Sequence, residues 1–87
     1  MALRFGGMDP ETQGGGSPTV WVDDTERELV IQGWKPDEEL LAKISGTEWV
    51  PGHDIGIPAH EAVVRIPLRM ATIVRKALDD AERSGLL

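Results

Sequence analysis

The stretch from Ser17 to Trp34 constrains the fold of this chain more than any other. Two runs of alternating residues, 19–22 and 28–34, flank the charged segment 23–27. The alternation has the two-residue period of β-strands, and a short polar segment between two such runs is typical of a hairpin turn. We therefore predict an antiparallel hairpin as the nucleus of the fold.

Both faces of the predicted hairpin carry apolar side chains. Val20 and Val22 share one face, whereas Trp21, Val30 and Trp34 are predicted to lie on the other. Helices of the chain are expected to cover one face of the sheet. The face bearing Trp21 and Val30 is left for the glycine-rich N-terminal segment, a foreign partner or a second copy of the chain, and we expect a second copy.

Residues 1–18 are predicted to form a flexible N-terminal arm, with a possible short strand at 2–5. Five of the thirteen residues from 6 to 18 are glycine and two are proline, a composition typical of irregular chain. The arm lacks the Gly-Lys-Ser/Thr ending of a phosphate-binding loop. Residues 19–87 are predicted to form one small domain.

The remaining elements follow from local sequence signals. Pro36 and the acidic residues 37–39 favour a first helix, which Gly46 would end. An alternating run at 61–66 predicts a third strand, and apolar residues at helical spacing predict a second helix over 68–84. The expected fold is therefore α+β, with an antiparallel sheet of three strands, or four with residues 2–5, and two helices in the order β-β-α-β-α.

Length, charge and cysteine content limit the possible functions. A domain of 87 residues has a small core and is expected to gain stability from a partner, so we predict a homodimer. The chain has no cysteine, no signal peptide pattern and no apolar run long enough to cross a membrane, which suggests a cytoplasmic protein. Its net charge of −6 argues against broad binding to nucleic acid.

The C-terminal part of the chain is nevertheless basic. Residues 63–87 hold five basic and three acidic side chains, whereas residues 1–62 hold four basic and twelve acidic ones. Arg65, Arg69, Lys76 and Arg83 form the candidate nucleic-acid face, on a strand-then-helix order that resembles half of a ribbon–helix–helix unit. A DNA-binding accessory protein is therefore the alternative hypothesis, although nearby acidic residues favour an internally paired surface.

Two histidine–carboxylate pairs are the candidate residues for metal chemistry. His53 and Asp54 lie at one end of a predicted loop, and His60 and Glu61 at the other. Their spacing matches no regular helical or strand pattern of metal ligands, and the sequence does not tell whether the pairs converge. A metal-dependent enzyme is the third and least favoured hypothesis.

Three tryptophans in a chain with one phenylalanine and no tyrosine suggest an interaction surface. Tryptophan is enriched among residues that dominate binding energy at interfaces. A small core would bury one or two of the three. Trp21, Val30, Trp34 and Trp49 are accordingly the candidate interaction residues.

Several blocks of the chain resemble a family of small actinobacterial proteins with no assigned activity. The blocks are Ser-Pro-Thr-Val-Trp-Val-Asp at 17–23, Leu-Val-Ile-Gln-Gly-Trp-Lys at 29–35 and His-Glu-Ala-Val-Val-Arg-Ile-Pro-Leu-Arg-Met at 60–70. The chain departs from the family pattern at Met8 and in its longer C-terminal helix. Family members are often encoded near helix–turn–helix regulators, so the resemblance implies a regulatory or accessory role.

We therefore predict a non-enzymatic protein-interaction module that has no cofactor. It is expected to form a homodimer and to act through an unidentified protein, for which a transcriptional regulator is one candidate. The sequence does not identify that partner, the pathway or the geometry of the dimer.

Overall fold

Within the residues that the structure describes, the chain forms a three-stranded antiparallel sheet and two α-helices. The computed structural model describes residues 2–12 and 16–87. The strands are β1 (Leu3–Met8), β2 (Thr19–Asp23) and β3 (Glu28–Gln32), and β2 lies between the other two. Helix α1 spans Glu38–Ser45; a 3₁₀ turn at Leu68–Met70 leads into helix α2, Ala71–Arg83. The α+β class is confirmed.

The predicted order β-β-α-β-α is wrong, because the order along the chain is β-β-β-α-α. The four-strand alternative is also wrong, since the predicted strand at 61–66 does not form. Within that stretch only Arg65 pairs, in an isolated bridge with Trp34. Pro67 has no N–H to donate, so the bridge at Arg65 does not extend into a ladder towards Pro67.

Strand β1 includes two glycines of the segment predicted as an arm. The register with β2 shifts between Phe5 and Gly7, which makes Gly6 the extra residue of a β-bulge. A Cβ atom on Gly6 would lie 2.9 Å from the carbonyl oxygen of Val20 and 3.2 Å from the Cβ atom of Ala77. The two glycines therefore allow α2 to pack close to the strand. Positions 13–15 of the predicted arm lie outside the described residues.

The core lies between α2 and one face of the sheet, called here the inner face. Val20 and Val22 of β2 point into it and are buried. Met70, Ala77 and Ala81 meet them from the helical side. These positions recur at helical spacing, as the sequence predicted, and Ile73, Val74, Ile66 and Leu86 pack around them. The two buried residues of α2, Ala77 and Ala81, are alanines, which suits the close approach at Gly6.

Two compact units make up the chain. The sheet unit consists of Met1–Gly33 and Ile66–Leu87, and the middle unit consists of Trp34–Arg65. In the middle unit, Asp37 caps α1 by accepting a hydrogen bond from the backbone N–H of Leu40 at 2.9 Å. Two backbone hydrogen bonds between Trp34 and Arg65 join the ends of this unit. No residue of the middle unit is buried, so the hydrophobic core belongs to the sheet unit.

Candidate interaction surface

The face of the sheet opposite α2, called here the outer face, carries a cluster of apolar side chains beside the polar residues Thr19, Asp23, Glu28 and Gln32. The register places Phe5 of β1 and Val30 of β3 beside Trp21 of the central strand. Phe5 is 66% exposed and Val30 is 36% exposed, whereas Trp21 is half-buried between them. Leu3 and Met8 of β1 share this face and are also exposed. We call these five residues the outer-face cluster: Leu3, Phe5, Met8, Trp21 and Val30.

The outer-face cluster contains no ionisable side chain, so it has no acid–base or metal-binding chemistry of its own. Its charged neighbours lie at the turn between β2 and β3. There Asp23 is buried and accepts hydrogen bonds from the backbone N–H groups of Thr25 and Glu26, at 3.0 and 3.1 Å. Glu26 and Glu28 are exposed beside it. An apolar surface with an acidic end is suited to binding another protein.

The structure divides the four predicted interaction residues between the two units. Trp21 and Val30 belong to the outer-face cluster, whereas Trp34 and Trp49 belong to the middle unit. Trp34 is 44% exposed and forms the backbone bridge with Arg65. Trp49 is 63% exposed and donates a hydrogen bond from Nε1 to the carbonyl oxygen of Ile44 at 3.0 Å. Of the four predicted interaction residues, Trp21 and Val30 therefore belong to the outer face of the sheet.

Sequence reasoning missed three members of the cluster, Leu3, Phe5 and Met8. Leu3 and Phe5 alternate with Arg4 and were visible as a possible short strand. The glycines at 6 and 7 hid the position of Met8, because the bulge changes which face it occupies relative to simple alternation. The two glycines after this alternating pair are the signal that would have extended the possible strand at 2–5 to Met8.

A second apolar surface lies on the inner face beside α2. The helix packs across β1 and β2 and leaves β3 largely uncovered, so Leu29 and Ile31 are 38% and 37% exposed. A groove of about 90 Å³ runs between β3 and the C-terminal part of α2. Leu29, Leu78, Ala81 and Leu86 are among the residues that line it, and Arg27 donates a hydrogen bond from Nε to the carbonyl oxygen of Leu86 at 2.8 Å.

Arg69, one of the candidate nucleic-acid residues, forms an ion pair inside the sheet unit. Its Nε and Nη2 atoms donate to the two carboxylate oxygens of Asp9, at 2.8 and 2.7 Å. Asp9 is buried and also accepts hydrogen bonds from the Thr12 hydroxyl and the backbone N–H of Glu11. Glu11 lies 3.6 Å from the same guanidinium group. Arg69 therefore anchors the loop after β1 to the start of α2.

The hydrogen bonds from Arg69 hold the pKa of Asp9 far below its usual range, although burial acts in the opposite direction. Asp9 in turn raises the pKa of Arg69. Both groups are charged in the folded chain at any physiological pH. This bidentate pair has the geometry of a structural contact, which leaves Arg69 poorly suited to hold a phosphate.

The other three candidate cations show no common site. Arg83 donates from Nη1 to Asp80 at 3.0 Å in an exposed pair on α2. Lys76 is exposed on the same helix, whereas Arg65 belongs to the middle unit. Two of the four predicted nucleic-acid residues are thus engaged with carboxylates. No arrangement among the described residues favours the DNA-binding alternative.

We expect the Asp9–Arg69 pair to make the stability of the chain depend on acid pH. The pKa of Asp9 is depressed on folding, so below its unfolded value of about 3.9 the unfolded chain binds more protons than the folded one. The stabilisation from this pair is therefore complete above about pH 5 and declines as the pH falls below about 4. Urea denaturation of wild type and Asp9→Asn between pH 7 and pH 2.5 measures how much the pair contributes to the free energy of unfolding at each pH.

The difference in unfolding free energy between wild type and Asp9→Asn should be largest near neutral pH and should shrink in acid. The control is Asp80→Asn, which removes an exposed ion pair and should change stability little at pH 7. A difference between wild type and Asp9→Asn that stays constant over the whole pH range would contradict the prediction.

The histidine–carboxylate pairs do not form a metal centre in the described part of the chain. His53 contacts the backbone oxygen of Asp54 through Nδ1 at 3.1 Å, and His60 lies 3.8 Å from the Glu61 carboxylate. Residues 2–12 and 16–87 contain no group of three or more metal-ligating side chains that could hold an ion. Nor does any helix there have the length and apolar character needed to cross a membrane.

Comparison with known proteins gives no match. No protein-family model, no curated protein and no solved structure matches the chain. Its function is therefore inferred from the geometry of the two apolar surfaces.

Proposed function

We propose that the chain is a non-enzymatic protein-interaction module that forms a homodimer and binds a regulatory protein through the outer-face cluster. The cluster carries this proposal. A three-stranded sheet packed by a helix on one face usually presents polar residues on the other. Here that face instead presents a row of Phe5, Trp21 and Val30 across all three strands. Aromatic side chains at the centre of an apolar patch are the residues that dominate binding energy at protein interfaces.

Charge indicates the chemistry of the partner. The chain carries a net charge of −6, and Glu26 and Glu28 are exposed at the turn end of the sheet. A surface of this kind attracts a segment with apolar side chains flanked by lysine or arginine. The resemblance to proteins encoded near helix–turn–helix regulators favours a basic regulator as the protein that supplies such a segment.

Substitutions on β1 test this proposal without disturbing the core. We expect the double variant Leu3→Thr, Phe5→Thr to bind the partner at least about 30-fold more weakly than wild type, since truncating interface anchors costs about 2 kcal/mol or more. Both residues are more than half exposed, and threonine suits a strand, so folding should be retained. The tagged chain would be used to capture partners from cells that naturally contain it, and the affinity of each purified candidate would be measured by calorimetry.

The matched control is Leu68→Thr, because Leu68 is 93% exposed in the same unit and lies off the sheet. Leu68→Thr should bind the partner as tightly as wild type does. Added salt should weaken partner binding by wild type and by this control alike. Equal affinities for wild type, control and double variant would overturn the proposal. So would the absence of any protein retained by wild type in preference to the double variant.

A further inference from the structure

Strand β3 is an edge strand whose free backbone groups can be identified. Backbone N–H groups of Asp9 and Asp24 bond to the carbonyl oxygens of Pro18 and Ala2, which shows that even-numbered residues of β2 face β1. The odd-numbered residues Thr19, Trp21 and Asp23 therefore face β3 and pair with Gln32, Val30 and Glu28. It follows that the backbone groups of Leu29 and Ile31 point away from the sheet. No backbone hydrogen bond from another described segment satisfies them.

The two edges of the sheet differ in their capacity to pair. The β1 edge is interrupted by the bulge at Gly6, which twists a strand and breaks the ladder. The register of β3 with β2 continues without a shift from Glu28 to Gln32, so its edge is regular. Edge strands that are not bulged, charged or covered are templates for pairing with another chain.

We infer that two copies of this chain pair antiparallel through β3, with Val30 on the two-fold axis. The inference rests on the homodimer of the proposed function. It places the dimer interface at the β3 edge, and not on the face of Trp21 and Val30 where the sequence analysis expected the second copy. In this register Leu29 of one copy lies opposite Ile31 of the other, and their outward N–H and C=O groups form the hydrogen bonds. Val30 lies opposite its own counterpart in a pair without hydrogen bonds, where Cα atoms are about 4.5 Å apart.

The side chains of β3 match this register. Glu28 of one copy lies opposite Gln32 of the other, so a carboxylate meets an amide and not a second carboxylate. Leu29 and Ile31 meet on the inner face, and Val30 meets Val30 on the outer face. A two-fold axis requires a self-complementary surface, and the pattern polar–apolar–Val–apolar–polar meets that requirement.

Pairing also covers the apolar groove on the inner face. Leu29 and Ile31 are more than a third exposed because α2 packs mainly against β1 and β2. In the paired sheet, Leu29 and Ile31 of both copies lie side by side between two α2 helices, so Leu78 and Leu86 of each copy border a shared apolar channel. The second copy thereby supplies contacts that one chain lacks.

A cysteine at the axis tests this register directly, because the chain has no cysteine of its own. Val30→Cys should form a disulfide-linked dimer by exchange with glutathione disulfide, which is reduced to two glutathione thiols as the two cysteines join, since Cα separations of about 4.4–6.8 Å suit a disulfide. We expect cross-linking at least about ten-fold faster than for Leu68→Cys, because paired thiols react at a high effective concentration. Leu68 is the more exposed of the two sites, so accessibility alone predicts the opposite order.

The oligomeric state of wild type separates this inference from the proposal on which it rests. Sedimentation equilibrium should show a dimer, and Ile31→Lys should shift it to monomer by placing charge in the paired edge. A dimeric wild type whose Val30→Cys variant cross-links no faster than Leu68→Cys would overturn the β3 register and leave the homodimer standing. A wild type that stays monomeric at all concentrations would overturn both the β3 register and the homodimer. The Leu3 and Phe5 variants would still decide separately whether a partner binds through β1.

Discussion

Replacing Met70 with alanine is expected to lower the free energy of unfolding by about 2–5 kcal/mol. Met70 is completely buried and contacts a core that contains few other buried side chains, Val20 and Val22 from the sheet and Ala77 and Ala81 from α2. Two of these four neighbours are alanines, which have no further atoms to fill a cavity. The loss is a large part of the roughly 5–15 kcal/mol that stabilises a typical domain.

Urea denaturation at neutral pH measures this effect, and Leu68→Ala is the matched control. Leu68 lies in the same 3₁₀ turn but is 93% exposed, so its truncation should change stability by less than about 0.5 kcal/mol. The dependence of unfolding on urea concentration should keep its slope in both variants, because the surface exposed on unfolding hardly changes. Equal losses at the two positions would contradict the packing described for the core.

Adding a methyl group at Gly7 is expected to destabilise the fold by about 1–3 kcal/mol through overpacking alone. A Cβ atom at this position would lie 2.6 Å from Cγ2 of Ile73, well inside van der Waals contact. Gly7 also has a φ of +151°, a conformation that side-chain-bearing residues rarely adopt, so backbone strain adds to the clash. The Gly7→Ala variant should therefore show a clear fall in thermal and urea midpoints.

Two further variants separate the clash from the strain. Gly16 has a φ of +93°, and among the described residues no atom beyond Gly16 and its chain neighbours lies within 4 Å of the place that a methyl group would occupy there. Gly16→Ala therefore reports the cost of an unfavourable φ without a steric clash, whereas Ile73→Ala removes the atoms that a methyl group at Gly7 would meet. The double variant Gly7→Ala, Ile73→Ala should be more stable than the sum of its single changes predicts, by about 0.5–3 kcal/mol. Strict additivity would show that Ile73 does not limit the packing at Gly7.

The elements that were predictable from the sequence are those with a strong local signal. The alternation around Trp21 and Val30 identified the hairpin, and the spacing of Met70, Ala77 and Ala81 identified the buried side of the C-terminal helix. Pro36 and the acidic residues 37–39 indicated the start of α1, which begins at Glu38. Each of these signals lies within a few residues of the element that it describes.

The parts that were not predictable depend on contacts distant in sequence. Residues 61–66 alternate as well as a strand does, yet no neighbouring strand among the described residues is placed to pair with them beyond Arg65. Conversely, Gly6 and Gly7 have low strand propensity and still form β1, because β2 supplies a partner and α2 needs room. Strand formation is decided by which partner is available, and a single sequence does not show that.

The candidate site was predicted in part for the same reason. Trp21 and Val30 were assigned to one face by alternation within the hairpin, whereas Phe5 joined them only through the register of β1. The sequence assigned Arg69 to a basic face. Its hydrogen bond to Asp9 was not predicted, because the two residues are sixty positions apart in the chain. No local pattern distinguishes an arginine held by a buried carboxylate from one that is free to bind a ligand.

The backbone pair between Trp34 and Arg65 brings the two ends of the middle unit together at a single point. A segment with joined ends can be lengthened or shortened at modest entropic cost, since that cost rises only slowly with loop length. Because none of its residues is buried, most of its positions are also free to vary in side-chain size. The 34–65 segment is therefore the part of the chain where evolution, or a protein engineer, could most easily exchange one inserted sequence for another.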